Sequence, residues 1–550
     1  MRLKRLHGVV AGCVLSAMIA NAAEAPKIAK SAAGGQLIVN GKPYLILGGE
    51  LGNSSAGTAE QADIILPEIA KMHVNTVLMP VAWEQIEAEE GKFDFTILDR
   101  WIDVAREQRL HLVVLWFGSW KNGVSSYAPA WVKKDTKRFP RALSADGEEL
   151  EILSTLGEET RKSDGRAFAE LMKHIRQKDQ EQQTVLMAQV ENEVGYLGRG
   201  RDRSEAANRL FRSAVPPDLI RKLQSRQDEF SPELRAHFNV AGKTWTEVFG
   251  DAANEVFMAW NYARSIEAVA AQGKQEYALP MYLNCQLPAP RERAGEYPSG
   301  GPQPYYLEVY RVTAPTIDFY SPDIYWPNFE YWIDRYKFSG NVVFVPEARL
   351  ESAPYNAFYA YGEAGAFGFS PFGIENGQSM PDASGSGGSG GSGPTIKEVY
   401  EALSEMSDLL LAHQLSDGTR AVVLHSNGPR TTQTVALGDY LFEAALSRSW
   451  PAKALLTDDG AMLIVQSTEN EFYIAGTGLT VSFYRNPDVD TAVGRIESVE
   501  EVSRSNGNWT TLRRLNGDQT NQGRQVLMPA RQVRVYRVVL YATPRNAPGR

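Results

Sequence analysis

Only two cysteines occur in 550 residues, Cys13 and Cys285. Cys13 falls in an N-terminal stretch that reads as a leader. Without that leader Cys285 stands alone, and no internal disulfide is available to hold the fold. The core must do so, and 43% hydrophobic residues over this length are enough for a large one. The seven histidines are scattered, with no H-E-x-x-H pair and no Cys/His cluster, so neither a metal site nor a cofactor is expected. No GxxxxGKS/T phosphate loop and no GxSxG nucleophile elbow is present. The net charge is -9 without any basic block, which argues against nucleic acid as a partner. Beyond the leader no apolar run is long enough to span a bilayer.

The leader reads MRLKRLHGVVAGCVLSAMIANAAEAPK. Arg2, Lys4 and Arg5 make a basic start, residues 8–20 are apolar but short, and Ala20-Asn21-Ala22 offers a small-x-small cleavage site. Residues 1–23 are expected to be a signal peptide and the mature protein to be exported, to a periplasm or the medium. Val10-Ala11-Gly12-Cys13 resembles a lipobox, but most of the apolar segment follows the cysteine. Asn508-Trp509-Thr510 is a glycosylation sequon of a length that matches easily by chance.

After the leader, short apolar segments alternate with amphipathic or polar stretches. Eight read as strands buried on both faces: 44–49, 74–80, 111–117, 184–192, 279–284, 317–325, 342–347 and 366–370. Helices are expected between them, over 59–72, 97–108, 165–178 and 252–272 among others. Eight such units predict an α/β fold, a (β/α)₈ TIM barrel over residues 35–415. The Gly/Ser run 384–393 is placed inside the last βα loop, because the helical stretch 395–413 is what a barrel needs after its eighth strand. Residues 198–249 form a charged insertion after the fourth strand, on the face where it could wall a site. From 416 to 550 the pattern changes to strands and polar turns, which predicts a smaller antiparallel β domain.

Barrel active sites sit at the C-terminal ends of the strands. Acids at or near those ends are Glu50, Glu84, Glu193, Asp323 and Glu347. Singly, each is better explained as a helix cap or an arginine partner. Glu193 and Glu347 together are different, since strands four and seven face each other across the mouth. Glycoside hydrolysis needs two carboxyl groups flanking the scissile bond, one held protonated and one ionised. Asn192 beside Glu193 suits a hydrogen bond to a sugar 2-hydroxyl, a contact that strengthens as an oxocarbenium-like state develops. Trp83, Trp116, Trp120 and Trp326 fall near strand ends at the same face; each alone reads as a core or rim residue, and their shared location makes at least one sugar platform expected.

Several stretches carry a resemblance. AQVENEVGYLG, with Gln189, Glu191, Asn192 and Glu193, resembles the Gln-x-Glu-Asn-Glu signature of glycoside hydrolase family 35, the retaining β-galactosidases. Trp83 to Phe95, WEQIEAEEGKFDF, is similar to the stretch after strand two in that family. GGELGNSS, LWFGSWKNG, YPSGGP, SPDIY and PFGIE look like its bacterial branch. The resemblance implies a clan A (β/α)₈ barrel in which Glu193 is the acid/base and Glu347 the nucleophile. It also implies that Asn192 binds the 2-hydroxyl and Tyr325 orients the nucleophile. Glu50, Trp83, Trp120, Lys121 and Trp326 are further expected substrate contacts. The implied activity is a secreted exo-β-galactosidase acting by double displacement on oligosaccharides or plant cell-wall side chains. Two departures stand out: Val194 follows the signature where many members have an aromatic, and Gly118-Ser119-Trp120 replaces an Ala-Glu-Trp whose acid reads galactose hydroxyls. The second leaves open a β-xyloside, β-fucoside or arabinoside specificity. A barrel that binds carbohydrate without cleaving it is the reading from a different class.

Overall fold

The computed structural model describes residues 24–31, 34–338, 340–376, 393–447 and 458–545. The leader 1–23 lies outside them, as does the Gly/Ser run up to its last glycine. Eight strands form a closed parallel barrel: β1 (Ile46–Glu50), β2 (Thr76–Ala82), β3 (His111–Lys121), β4 (Val185–Asn192), β5 (Met281–Gln286), β6 (Phe319–Ile324), β7 (Phe344–Ala348) and β8 (Gly368–Pro371), in that order around the ring. Each is followed by a helix: α1 (Glu60–Ala70), α2 (Thr96–Glu107), α3 (Glu158–Asp179), α4 (Ala253–Glu276), α5 (Leu307–Thr313), α6 (Phe329–Arg335), α7 (Ala353–Gly362) and α8 (Ile396–His413). The fold is therefore an α/β barrel followed by antiparallel sheets. Every residue of β2 and β4 is buried, which is why these strands read as continuous apolar runs rather than alternating ones.

Inside the barrel, Leu78, Val113, Leu115, Phe117, Tyr282, Phe319, Phe344 and Phe367 fill the lower half. Leu37 and Val39 join the same cluster. They come from an N-terminal antiparallel sheet (27–31, 34–39 and 42–44) that precedes β1 and closes the end away from the strands' C-terminal mouth. At the other closure, Thr395 and Glu398 form a capping box that starts α8. The Tyr400 hydroxyl then bridges the carbonyl oxygens of Gly48 in β1 and Phe369 in β8, both at 2.8 Å.

The C-terminal strands form a six-stranded and a four-stranded antiparallel sheet. Strand 419–424 shows how they pack. Its Val422 lies in the core between the two sheets with Phe442, Phe472 and Phe483, while Val423 belongs to the barrel's own core. Adjacent side chains on one strand point to opposite faces, so one sheet serves two cores. The insertion 198–249 carries four short helices. Trp245 packs against Phe257 and Trp260 of α4, and the Ser231 N–H donates to Glu308 of α5 at 2.8 Å. Among the described residues no helix is long and apolar enough to cross a membrane.

The clearest local difference from the sequence reading is β3. It runs to Lys121, four residues past the expected end. Its pairing with β4 slips between Trp116 and Lys121: Trp116 faces Val190, yet Lys121 faces Asn192. Three extra residues are accommodated in a bulge, the kind of irregularity that re-aims side chains beside active sites.

Candidate active site

The strand ends surround a pocket of about 430 Å³ lined by Asn53, Lys121, Asn122, Glu193, Gln286, Leu287, Asp323, Tyr325, Trp326, Glu347 and Phe372. Its size suits a small ligand. Five of the nine site residues expected from sequence line it: Lys121, Glu193, Tyr325, Trp326 and Glu347. Glu193 and Glu347 leave β4 and β7, three strands apart around the ring, and one oxygen of each, with one of Asp323 from β6, lies within 4.8 Å of the others.

Three donors converge on Glu347. The Tyr325 hydroxyl donates to Oε2 at 2.7 Å, and the side-chain amides of Asn192 and Asn284 donate to Oε1 at 3.3 and 3.2 Å. Asn192 in turn accepts from Lys121 Nζ at 2.9 Å. The amide thus sits between the Lys121 ammonium and Glu347, buried beneath the pocket wall. Burial and the charge of Glu347 hold Tyr325 firmly protonated, so it remains a donor.

Glu193 is set up differently. Its Oε2 accepts from Asn122 Nδ2 at 2.6 Å, and its backbone N–H donates to Asn284 Oδ1 at 2.9 Å. Burial first, and then the negative charge of Glu347, push its carboxyl up to about 7, with Lys121 and hydrogen bonds from Asp323 and Asn122 opposing. A carboxyl in that range is protonated in much of the population at neutral pH, as a general acid must be.

The signature's other glutamate has a separate task. Glu191 points behind the pocket, where its two oxygens accept the backbone N–H groups of Ser119 at 3.2 Å and Trp120 at 2.8 Å. Asp164 of α3 accepts from the same Ser119 N–H at 2.9 Å, from the Ser119 hydroxyl, and from Trp116 Nε1 at 2.8 Å. These two acids satisfy the N–H groups that the β3 bulge takes out of the ladder. Gly118 is required there, since a Cβ would lie 2.9 Å from both Asp164 oxygens. Glu191 and Glu193 both take positive φ, 60° and 44°, so Asn192 is held between two strained residues.

Four expected contacts sit elsewhere. Trp83 is fully buried, with Nε1 donating to Glu87 at 2.8 Å and its ring edge-on to Trp131. Trp120 is equally buried, donating to the Leu153 carbonyl at 2.9 Å and packing on Tyr262. Neither ring reaches the pocket, because each faces outward into the helix layer. Trp116 is held the same way by Asp164. Asn192 touches Glu347 from below the pocket wall. Glu50 ends β1 but does not line the pocket; it is wholly buried, and desolvation, then the charge of Glu347, raise its carboxyl well above the usual range. Glu84 pairs with Lys133 at 3.0 Å at the surface.

Asn284, Asn122 and Asp164 carry site geometry that the sequence reading did not assign. An asparagine ending the expected strand 279–284 was the signal for Asn284, since a polar residue closing an apolar strand at this face is seldom idle. Asn284 also donates to Asp323 at 2.8 Å, so it links all three pocket acids. The insertion 198–249 contributes no lining residue to this pocket.

The glycoside hydrolase family 42 model, described as Beta-galactosidase, matches residues 55–228, and a domain of unknown function (DUF5597) matches residues 396–527. The first match includes Glu193 and points to family 42 rather than to family 35, whose motifs the sequence resembles. It spans less than half of the chain and does not by itself establish membership. No curated protein sequence matches the chain. A β-galactosidase from Bacillus circulans sp. alkalophilus is similar in structure at 10% identity and TM-score 0.47, over 90% of this chain and 99% of that one. A β-galactosidase from the psychrophilic Marinomonas ef1 has 12% identity and TM-score 0.40, over 60% and 54%. An exo-β-1,4-mannosidase from Opitutaceae bacterium strain TAV5 has 14% identity and TM-score 0.36, over 62% and 54%. The chain spans about half the length of the last two.

Proposed function

We propose that this protein is an exported retaining exo-β-galactosidase that removes terminal β-galactosyl residues from oligosaccharides or plant cell-wall side chains. One observation carries the reading: Glu193 and Glu347, buried at the C-terminal ends of β4 and β7, bring carboxyl oxygens within 4.8 Å of each other. Retaining glycosidases hold their acids about 5–5.5 Å apart, whereas inverting ones need about 6.5–9.5 Å to admit a water between them. The proposed fold needs no cofactor for this chemistry.

The reaction is a double displacement. Glu347 attacks the anomeric carbon as the bond to the leaving oxygen breaks, and the Glu193 proton passes to that oxygen. The sugar is then held as an ester on Glu347. Water enters, gives its proton to Glu193, and its oxygen forms the new bond as the Glu347 carboxylate departs. Tyr325, Asn192 and Asn284 keep Glu347 aimed throughout. Trp326 on the pocket wall, its Nε1 held by the Leu287 carbonyl at 3.2 Å, is the ring available to a sugar face. Galactose as the sugar rests on the family 42 match, and export on the leader.

A second specificity has an observation of its own. Ser119 stands where family 35 would supply a hydroxyl-reading acid, and it is buried against Asp164. That contact is missing, which favours a sugar with fewer hydroxyl demands, such as a β-xyloside, β-fucoside or arabinoside. Proton NMR of the protein with aryl β-galactoside, xyloside and arabinoside tests both readings. β-Galactose released before mutarotation supports the proposal. α-Galactose first would remove double displacement. Release only from another glycoside would move the specificity, and no turnover at all would favour a binding barrel.

A further inference from the structure

We propose that Asp323 is a positioning residue of this site: a neutral acid that donates a hydrogen bond to Glu193 and holds the proton donor in place through both half-reactions. The inference rests on the double-displacement reading of the Glu193–Glu347 pair and extends it to a third carboxyl.

The reasoning starts from charge. Glu50, Glu193, Asp323 and Glu347 are all buried at one mouth, and Lys121 is the cation that faces them among the described residues. Lys121 Nζ is already committed to Asn192 at 2.9 Å. Four buried carboxylates opposite one ammonium repel too strongly for all to ionise. Glu347 must be ionised to attack, and Glu193 must start protonated. The remaining acids are where further protons reside.

Geometry then says what the Asp323 proton does. Asp323 Oδ2 accepts from Asn284 at 2.8 Å, while Oδ1 is buried with no partner that donates to it. An oxygen so placed is costly as an acceptor and satisfied as a donor. The acceptors within reach are Glu347 and Glu193, with one oxygen of each acid inside the 4.8 Å grouping. Glu347 already receives three hydrogen bonds. Glu193 accepts a side-chain hydrogen bond from Asn122 and has room for a second. Burial, then the charges of Glu347, Glu193 and Glu50, raise Asp323 well above the usual carboxyl range, in agreement with this placement. When Glu193 gives up its proton, the Asp323 hydrogen bond stabilises the carboxylate that remains. When water returns a proton, the same contact keeps Glu193 facing the ester.

Other groups also face Asp323. Glu50 comes from β1, Lys121 from β3, Tyr282 and Asn284 from β5, Glu347 from β7, and Tyr325 and Tyr336 follow β6 and α6. The three tyrosines are held protonated by burial, so Glu193 and Glu347 are the groups that change charge during turnover.

The test compares Asp323→Asn with Asp323→Ala on an aryl β-galactoside, across pH. Asparagine keeps a donor and adds no charge. It is expected to retain near-native kcat/KM and the same fall in rate on the basic side. Alanine is expected to lose about 100-fold in kcat, the scale of a misplaced catalytic group. Its basic limb should move to higher pH, because the hydrogen bond that draws Glu193 down is gone. Asp323→Thr, also a donor, makes the same comparison if the asparagine variant fails to fold by circular dichroism. Asparagine and alanine equally impaired, with raised KM, would overturn the proposal and make Asp323 an ionised acceptor for a sugar hydroxyl. Both variants unchanged would overturn it as well. A wild-type protein silent on every glycoside would instead overturn the hydrolase reading, and this one with it.

Discussion

The Glu191 carboxylate accepts the backbone N–H of Trp120 at 2.8 Å, from two residues before the acid that faces the pocket. One signature therefore builds two things. Glu191 reaches backward to brace the β3 bulge, and Glu193 reaches forward into the pocket. The bulge is what brings Lys121 opposite Asn192, so the brace and the chemistry are mechanically linked.

Replacing Glu191 with alanine strands the buried Trp120 N–H, while the Ser119 N–H keeps its bond to Asp164. A loss of about 1–3 kcal/mol for that unsatisfied group is expected, read as a lower midpoint in urea unfolding. The kcat should fall too, as Lys121 drifts from Asn192. Unchanged stability would show that the bulge is held by Asp164 alone.

Removing each catalytic acid separates the roles. Glu347→Ala should abolish turnover and, with azide and an activated aryl galactoside, form the α-galactosyl azide. Glu193→Ala with azide should form the β-galactosyl azide. Each is expected to lower kcat by about 10²–10⁴-fold or more without azide. NMR of the azide products checks the assignment, and swapped anomers would reverse it.

Activity should decline above about pH 7, because Glu193 is pushed up to about 7 and only its protonated form serves the leaving oxygen. In Glu193→Gln, kcat/KM for an activated aryl galactoside should lose that basic limb. A limb that persists in the variant would belong to another group.

Stability has its own pH dependence, of the opposite kind to ordinary paired acids. Burial raises Glu50 and Glu191 in the folded chain. The folded state then holds protons that the unfolded state releases. The associated stability is full below the unfolded carboxyl range, about pH 4.3, and is lost as pH rises through the folded values. Glu50→Gln removes one such group, so its Tm should fall less than the wild type's between about pH 5 and pH 8. A steeper fall in the variant would contradict this.

The tryptophans should divide cleanly. Trp326→Ala is expected to raise KM with the fold intact. Trp83→Ala should cost about 3–5 kcal/mol in stability, as large buried rings do. A raised KM for a folded Trp83→Ala would return that ring to the substrate.

Much of the barrel was legible because its strands are buried on both faces and helices such as α2 show one apolar side. Those patterns are local, and eight of them in alternation admit few architectures. Glu193 and Glu347 were legible for a related reason: a strand is a straight rod, so an acid at its end reaches the mouth of a parallel barrel wherever the strand stands in the ring. Tyr325, two residues past Asp323 on β6, followed from the resemblance.

The rest depended on distances between residues far apart in the chain. Trp83 and Trp120 share with Trp326 a place near a strand end, but rotation of the backbone by one residue turns a ring from the pocket into the helix layer. Nothing in WEQI or GSWKNG marks the three-residue slip of β3, because its bulge is held by Glu191 and Asp164, 71 and 45 residues beyond Trp120 and Ser119. The sequence by itself determined the kind of scaffold and the two acids it presents, since burial periodicity and strand ends are written residue by residue. Only the tertiary structure decided that a third acid lies beside them, that Asn284 ties all three together, and that Glu193 is poised near neutral pH. Those properties come from burial and from charges brought within a few ångströms by strands that are remote in sequence, and no single segment contains them.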